Sequence, residues 1–349
     1  MDNQEEQHKR RVRYNGTHPK SYKEKYKELQ PEKYEDTVAR VIKKGSTPAG
    51  MHISICVNEI LEFLQIKPGQ KGLDATLGYG GHTLAMLKSL ESEGHMYALD
   101  VDPIELVKTR ERLEHLGYGS DILTIKHINF ANIDKVAEEV GLFDFILADL
   151  GVSSMQIDNP DRGFSYKKHG PLDLRLNPEK GISAAERLKN ITREELEDIL
   201  IENADEPHAQ IIARAIISNV KNGVEISTTT KLHDIIEKAL KFIPVNDRNQ
   251  AIKKSCQRTF QALRIDVNSE FEVLDEFLEK LPNVLAKDGR VAILTFHSGE
   301  DRRVKQSFKV LLREGVYKEV ARDVIRPSGE ECAVNSRARS TKMRWAIKA

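Results

Sequence analysis

The stretch Leu73-Asp74-Ala75-Thr76-Leu77-Gly78-Tyr79-Gly80-Gly81-His82-Thr83 decides the fold. It closes a β-type run, Lys71–Ala75, and opens a helical pattern, Thr83–Ser92. Three glycines between strand and helix let the backbone turn sharply and let a ligand approach without meeting a Cβ. A dinucleotide-binding oxidoreductase asks for G-x-G-x-x-G at this point. Here the spacing is G-x-G-G, and Asp74 stands inside the strand. A carboxylate there would repel a pyrophosphate. It suits a cationic ligand, such as the ammonium and sulfonium of S-adenosylmethionine. Taken alone, the loop fits either a cofactor turn or a structural βα turn.

The same rhythm repeats outward from the loop. The β-type runs His95–Val101, Ile122–His127 and Phe143–Leu150 alternate with the helical stretches Ile104–His115 and Ile133–Val140. Upstream, Val57–Leu64 reads as an apolar-faced helix. Short loops between alternating segments predict a parallel sheet covered on both faces. Ligands of such sheets bind beyond the carboxyl ends of the strands, so strand-end residues are the candidates. Asp100 ends the second strand 22 residues after Gly78, the offset at which an acidic side chain accepts from ribose hydroxyls. Asp102-Pro103 reads as the cap and first residue of the next helix. Phe130, just past the third strand, fits either an adenine-stacking role or the core. Asp149 closes an otherwise apolar fourth strand, where a carboxylate is costly to bury unpartnered. It is expected to face ligand or acceptor.

Composition excludes several classes. Lys+Arg and Asp+Glu are 54 each over 349 residues, so the net charge is zero and a globally basic nucleic-acid binder is ruled out. A local basic patch is not. No apolar run approaches the ~18 residues of a membrane-spanning helix, and the opening MDNQEEQHKRRVR has no apolar signal region. Cys56, Cys256 and Cys332 are scattered, with no CxxC or HExxH, so neither a disulfide framework nor a metal site is legible. The expectation is a cytoplasmic protein without structural metal.

The rhythm breaks after Leu150. Residues 155–185 are rich in turn signals, and helical patterns follow, among them Thr192 with Glu195 as a capping box and Thr230–Leu240. A helix at Ser269–Ala286 precedes the returning β signal at Arg290–Phe296, and Val320–Ile325 with Lys342–Ala346 form a final strand pair. The simplest organisation is an α/β domain, 46–154 and 263–349, carrying an inserted helical domain, 155–262, for substrate recognition. Residues 1–45 stand apart as a basic arm, with 12 Lys/Arg, 8 Asp/Glu and four tyrosines. Such a segment suits contact with RNA backbone and bases, or simply packs on the domain.

Seven blocks occur in order: DATLGYGGHT, ALDVDP, ADLGVSSMQ, RGFSYKKHGPLDLRL, RTFQALRIDVNSE, FHSGEDRRVK and NSRARSTKMR. Together they resemble the RsmH, or MraW, family of bacterial 16S ribosomal RNA methyltransferases. The resemblance covers residues 50–349. It implies a class I S-adenosylmethionine-dependent (Rossmann-like) sheet with a helical insertion, and methylation of a cytidine N4 in the decoding region of 16S rRNA. The partner it implies is 16S rRNA or the small ribosomal subunit. By motif, Gly80, Gly81 and His82 line the cofactor, Asp100 holds the ribose, and Phe130, Asp149 and Gln156 contact the cofactor. Two blocks depart from the family's usual form. Gly299 replaces the leucine of FHSLED, and DATLG replaces DGTFG.

Methyl transfer to an exocyclic amine needs alignment and an acceptor for the proton. Asp149 and His297, both at expected strand ends, are the candidate catalytic groups. Arg162, Lys167, Lys168, His169 and Arg175 in the turn-rich connection are expected to clamp RNA. Arg258, Arg264, Arg302, Arg303, Lys305, Arg337, Arg339, Lys342 and Arg344 are expected to meet phosphates. Two alternatives stay open from the residues alone: an NAD-dependent oxidoreductase, and a non-catalytic RNA-binding protein on a cofactor fold.

Overall fold

The computed structural model describes residues 54–349; the basic arm, 1–45, lies outside the described residues. Helix α1, Val57–Leu64, leads into β1, Lys71–Asp74. Next come α2, Gly81–Ser89, β2, His95–Asp100, and α3, Pro103–His115. Strand β3, Leu123–His127, is followed by a single 3-10 turn at Phe130–Asn132 and by α4, Ile133–Val140. Strand β4, Phe143–Asp149, completes the first half. Each expected element in this half is present to within a few residues at its ends.

The helical segment opens with α5, Ser154–Asp158, and continues as α6, Ala184–Asn190, α7, Arg193–Ala204, and α8, Ala209–Lys221. Then come α9, Thr229–Ala239, and α10, Val245–Asn268. Capping decides several of these starts. Ser183 and Thr192 each accept from the backbone N–H of the glutamate three residues on, and that glutamate reaches back. Helix α11, Glu270–Val284, returns the chain to β5, Leu285–Thr295. The chain ends with α12, Ser298–Arg313, β6, Tyr317–Val320, α13, Gly329–Val334, and β7, Lys342–Lys348.

Seven strands form one sheet in the order β3-β2-β1-β4-β5-β7-β6. Pairs among β1 to β5 are parallel, and β7 runs antiparallel to both β5 and β6. This is the order of the class I, Rossmann-like sheet expected from the sequence. The order reverses between β1 and β4, which opens a crevice at their carboxyl ends. Alternate residues of β4 serve opposite faces: Ile146 and Ala148 pack with Phe277 and Leu281 of α11, while Phe145 and Leu147 pack with Met86 and Leu87 of α2. That two-sided burial explains why the strands read as continuous apolar runs.

The helices α6 to α10 enclose a separate core around Leu188, Leu200, Ile216, Ile236 and Leu263. Helix α10 runs through the expected limit at residue 262, and the chain turns only at Ser269, whose φ is 49°. The final strand pair is shifted from expectation. Strand β6 stops at Val320, and Ile325 rejoins only as an isolated bridge to Met343, because exposed Arg322-Asp323 breaks the apolar alternation. Among the described residues no helix is long and apolar enough to cross a membrane.

Candidate active site

The glycine loop is held from below and from both sides. Gly80 caps α2 with φ 76°, a left-handed conformation that disfavours any side chain, and a Cβ there would lie 2.8 Å from Thr109 Cγ2. The Gly78 N–H donates to Asp100 Oδ2 at 2.7 Å, and the Thr109 hydroxyl donates to the Gly78 carbonyl at 2.7 Å. Asp74 departs from expectation. It is 1% exposed, accepts from the Thr83 hydroxyl at 2.6 Å and the Thr76 N–H at 3.0 Å, and does not reach the cleft. Its carboxylate organises the loop rather than meeting a cationic ligand, because the two threonines that flank the glycines take up both oxygens. Burial raises its pKa, with the Thr83 bond opposing.

Asp100 and Asp149 stand at the carboxyl ends of β2 and β4, the two strands that flank β1, and both line the cleft. Asp100 spends one oxygen on Gly78 and accepts the Asp102 N–H on the other at 2.8 Å. Each oxygen keeps a lone pair, which fits two ribose hydroxyls. Burial pushes its carboxyl up to about 6, against the pull of those backbone bonds. The Asp149 backbone N–H donates to Thr76 Oγ1 at 2.6 Å, which fixes the strand end. Its Oδ1 is buried without a partner, and its Oδ2 lies 3.5 Å from His82 Nδ1. Burial pushes this carboxyl up to about 6 as well, with His82 lowering it and Asp74 and Glu300 raising it.

The remaining motif residues surround this pair. His82, buried in α2, contacts the Ile55 carbonyl through Nε2 at 2.9 Å and turns its other nitrogen toward Asp149. Gly81 lines the cleft beside it. Phe130 opens the 3-10 turn and rests edge-on against Phe277, centroids 5.1 Å apart. Gln156 borders the cleft, but its amide is engaged at both ends: Nε2 donates to Asp102 at 2.7 Å and Oε1 accepts from the Ser153 N–H at 2.8 Å. Asp102 caps α3 as expected, accepting from Ile104 and Glu105. It also receives Arg162, so one buried carboxylate ties α3 to the start of the helical segment.

The far wall holds His297, the residue before α12, with Glu300 Oε1 3.1 Å from its Nε2. Glu300 Oε2 accepts the Phe296 N–H at 2.8 Å. Burial pushes Glu300 up, but His297, the Phe296 N–H and the Arg264 guanidinium outweigh it and hold the carboxyl below its usual range. Arg264 itself grips Glu270 with two bonds of 2.7 and 2.8 Å. None of Thr76, Thr83, Glu270 and Glu300 was singled out from sequence. All four lie inside the conspicuous blocks, and their partners are within nine residues, but the pairing appears only once the loop and the helix ends are folded.

The expected RNA cations divide. Arg162 is buried on Asp102 and the Arg175 and Leu176 carbonyls. Arg175 chelates Asp173, Arg303 pairs with Asp275, Arg337 with Asp158, and Lys342 and Arg344 with Asp301. Each of these side chains is paired within the protein, Arg162 and Arg344 in buried bonds and Arg303 and Arg337 in partly exposed ones, which corrects the expectation that Arg162 and Arg175 present free charges to substrate. Among the described residues, Lys167, Lys168, Lys305 and Arg339 are exposed without such pairing, and Arg258 is half-buried.

The whole forms one cleft of about 800 Å³, floored by the sheet edge and walled by Tyr166, Gln257, Gln261 and Arg264 of the helical side. The MraW methylase family profile matches residues 49–349. The chain belongs to this family. It is 76% identical over 348 residues to Ribosomal RNA small subunit methyltransferase H 1 of Lachnoclostridium phytofermentans, covering 100% of this chain and 95% of that protein. It is 72% identical to Ribosomal RNA small subunit methyltransferase H 2 of Alkaliphilus metalliredigens, covering 100% of both. A Clostridium botulinum Ribosomal RNA small subunit methyltransferase H is 40% identical, covering 84% of this chain and 97% of that protein. The oxidoreductase alternative falls with the family. The cofactor of this MraW methylase is S-adenosylmethionine, and the cleft fits it: an unpartnered buried Asp149 oxygen suits an ammonium, and Asp100 retains acceptor capacity for a ribose.

Proposed function

We propose that this protein methylates the N4 amino group of a cytidine in the decoding region of 16S rRNA. The observation that carries the reading is the two-sided cleft. One cavity joins the cofactor loop to a polar wall from the helical segment, with room for an unstacked base beside the donor. The relatives named as small-subunit rRNA methyltransferases give the RNA class.

S-adenosylmethionine supplies an electrophilic methyl on a sulfonium sulfur. The chain's own residues align the acceptor and handle the proton. With that cofactor held by the glycine loop and Asp100, an amine aligned in the cleft would take the methyl as the carbon–sulfur bond breaks, the electron pair leaving with sulfur. One N–H proton must then leave. Asp149, raised to about 6, is a stronger base than an ordinary carboxylate and sits at the donor end of the cleft. His297 faces the same cleft from the next strand end. Gly80, Gly81, His82, Asp100, Phe130 and Gln156 hold or back the cofactor. Residues 155–262 serve the RNA, with exposed Lys167 and Lys168 available to phosphates.

Mass spectrometry of 16S rRNA from cells with and without the gene tests the reading. A methyl mark on one decoding-region cytidine should vanish with the gene. Unchanged modification of that region contradicts it.

A further inference from the structure

We propose that Phe271 and Glu300 are positioning residues that seat the His297 imidazole in the cleft, and that Gly299 is what admits the phenyl ring. This rests on the reading of His297 as part of the methyl-transfer site.

Glu300 meets the imidazole from the first turn of α12: its Oε1 lies 3.1 Å from His297 Nε2, and its Oε2 accepts the Phe296 N–H at 2.8 Å. The second contact comes from α11. The Phe271 ring lies 5.8 Å from the imidazole, tilted by 51°. Phe271 is itself fixed. It is 6% exposed, and the Arg303 guanidinium, paired with Asp275, covers it at 4.3 Å. The imidazole is thus held at its edge by a carboxylate and against a fixed aromatic ring.

Room for that ring exists only because residue 299 has no side chain. A Cβ on Gly299 would lie 2.5 Å from Phe271 Cζ, 3.1 Å from Cε1 and 3.2 Å from His297 Nδ1. The space beside residue 299 is filled from another helix, by the Phe271 ring. A leucine at 299 and a phenylalanine at 271 exclude each other, and the collision falls on the ring that supports His297.

The test is a set of full-length variants, G299L, F271L, F271L/G299L, E300Q and H297A. Each is assayed for methyl incorporation into small-subunit RNA, for S-adenosylhomocysteine affinity and for melting temperature. G299L should lower kcat about 10- to 100-fold, the scale of a displaced catalytic group, with cofactor affinity unchanged. F271L and E300Q should lower kcat in the same direction. The F271L/G299L pair should recover most of the loss, because leucine then occupies the space without collision. Should G299L fail to fold, F271L and E300Q carry the test. Wild-type kcat in these variants, a loss confined to melting temperature, or a double variant no better than G299L overturns the proposal. If H297A is slow while F271L and E300Q are not, the positioning role alone fails. If H297A turns over at the wild-type rate, the reading of His297 fails and takes the proposal with it.

Discussion

Replacing Asp149 by asparagine should stabilise the protein while disabling it. The Asp149 carboxylate has one buried oxygen without a partner and one that only approaches His82, at 3.5 Å. Burial raises its pKa from 3.8 to about 6. A folded pKa above the unfolded one means that the native state keeps the proton longer. Stability is therefore lost as pH rises from 3.8 through 6. The difference, 6 − 3.8 = 2.2 units, corresponds to about 3 kcal/mol above pH 7 and about 1 kcal/mol at pH 4.5. Asparagine removes that cost but also the attraction to His82, so the net gain at pH 7.5 is about 1–3 kcal/mol. Urea unfolding of both proteins at the two pH values measures it. The variant should be the more stable at pH 7.5, with the gap narrowing toward acid. Titration with S-adenosylhomocysteine should show weaker binding, and methyl incorporation should collapse. A variant less stable than the parent at pH 7.5, or a gap that widens toward acid, refutes the reasoning.

Asp100→Ala should leave the fold intact and weaken cofactor binding by about 10- to 150-fold, the cost of losing a charge-assisted hydrogen bond; titration calorimetry reads this. Arg162→Ala should destabilise the chain by about 3–5 kcal/mol in urea, because it strands Asp102, which is fully buried. Lys167→Glu should instead weaken RNA binding and flatten its salt dependence, with cofactor affinity unchanged in a filter-binding and calorimetry pair. Deleting residues 1–45 should raise the Michaelis constant for RNA while turnover at saturation holds. A fall in melting temperature alone would make the arm a packing element.

The sheet was legible because its strands are buried on both faces and its loops are short, so apolar runs and breaks stand out along the chain. Asp100 and Asp149 were legible for a related reason, since a carboxylate that ends an apolar strand has few structural explanations. Asp74 looked similar and was not. The donors that satisfy it are the Thr76 N–H and the Thr83 hydroxyl, and only the folded loop brings them together. The basic residues were read too generously, because a sequence shows a cation but not its partner. Arg162 and Asp102 are 60 residues apart, and Arg344 and Asp301 are 43 apart. The same blindness hid Phe271, which meets His297 across two elements.

The central claim is tested most directly with the purified full-length chain, small-subunit rRNA and isotope-labelled S-adenosylmethionine, followed by nuclease digestion and mass spectrometry of the nucleosides. The account predicts one labelled product, N4-methylcytidine, in a single oligonucleotide from the decoding region. Label on another base, on a cytidine carbon or ribose, or in no nucleoside at all would contradict it.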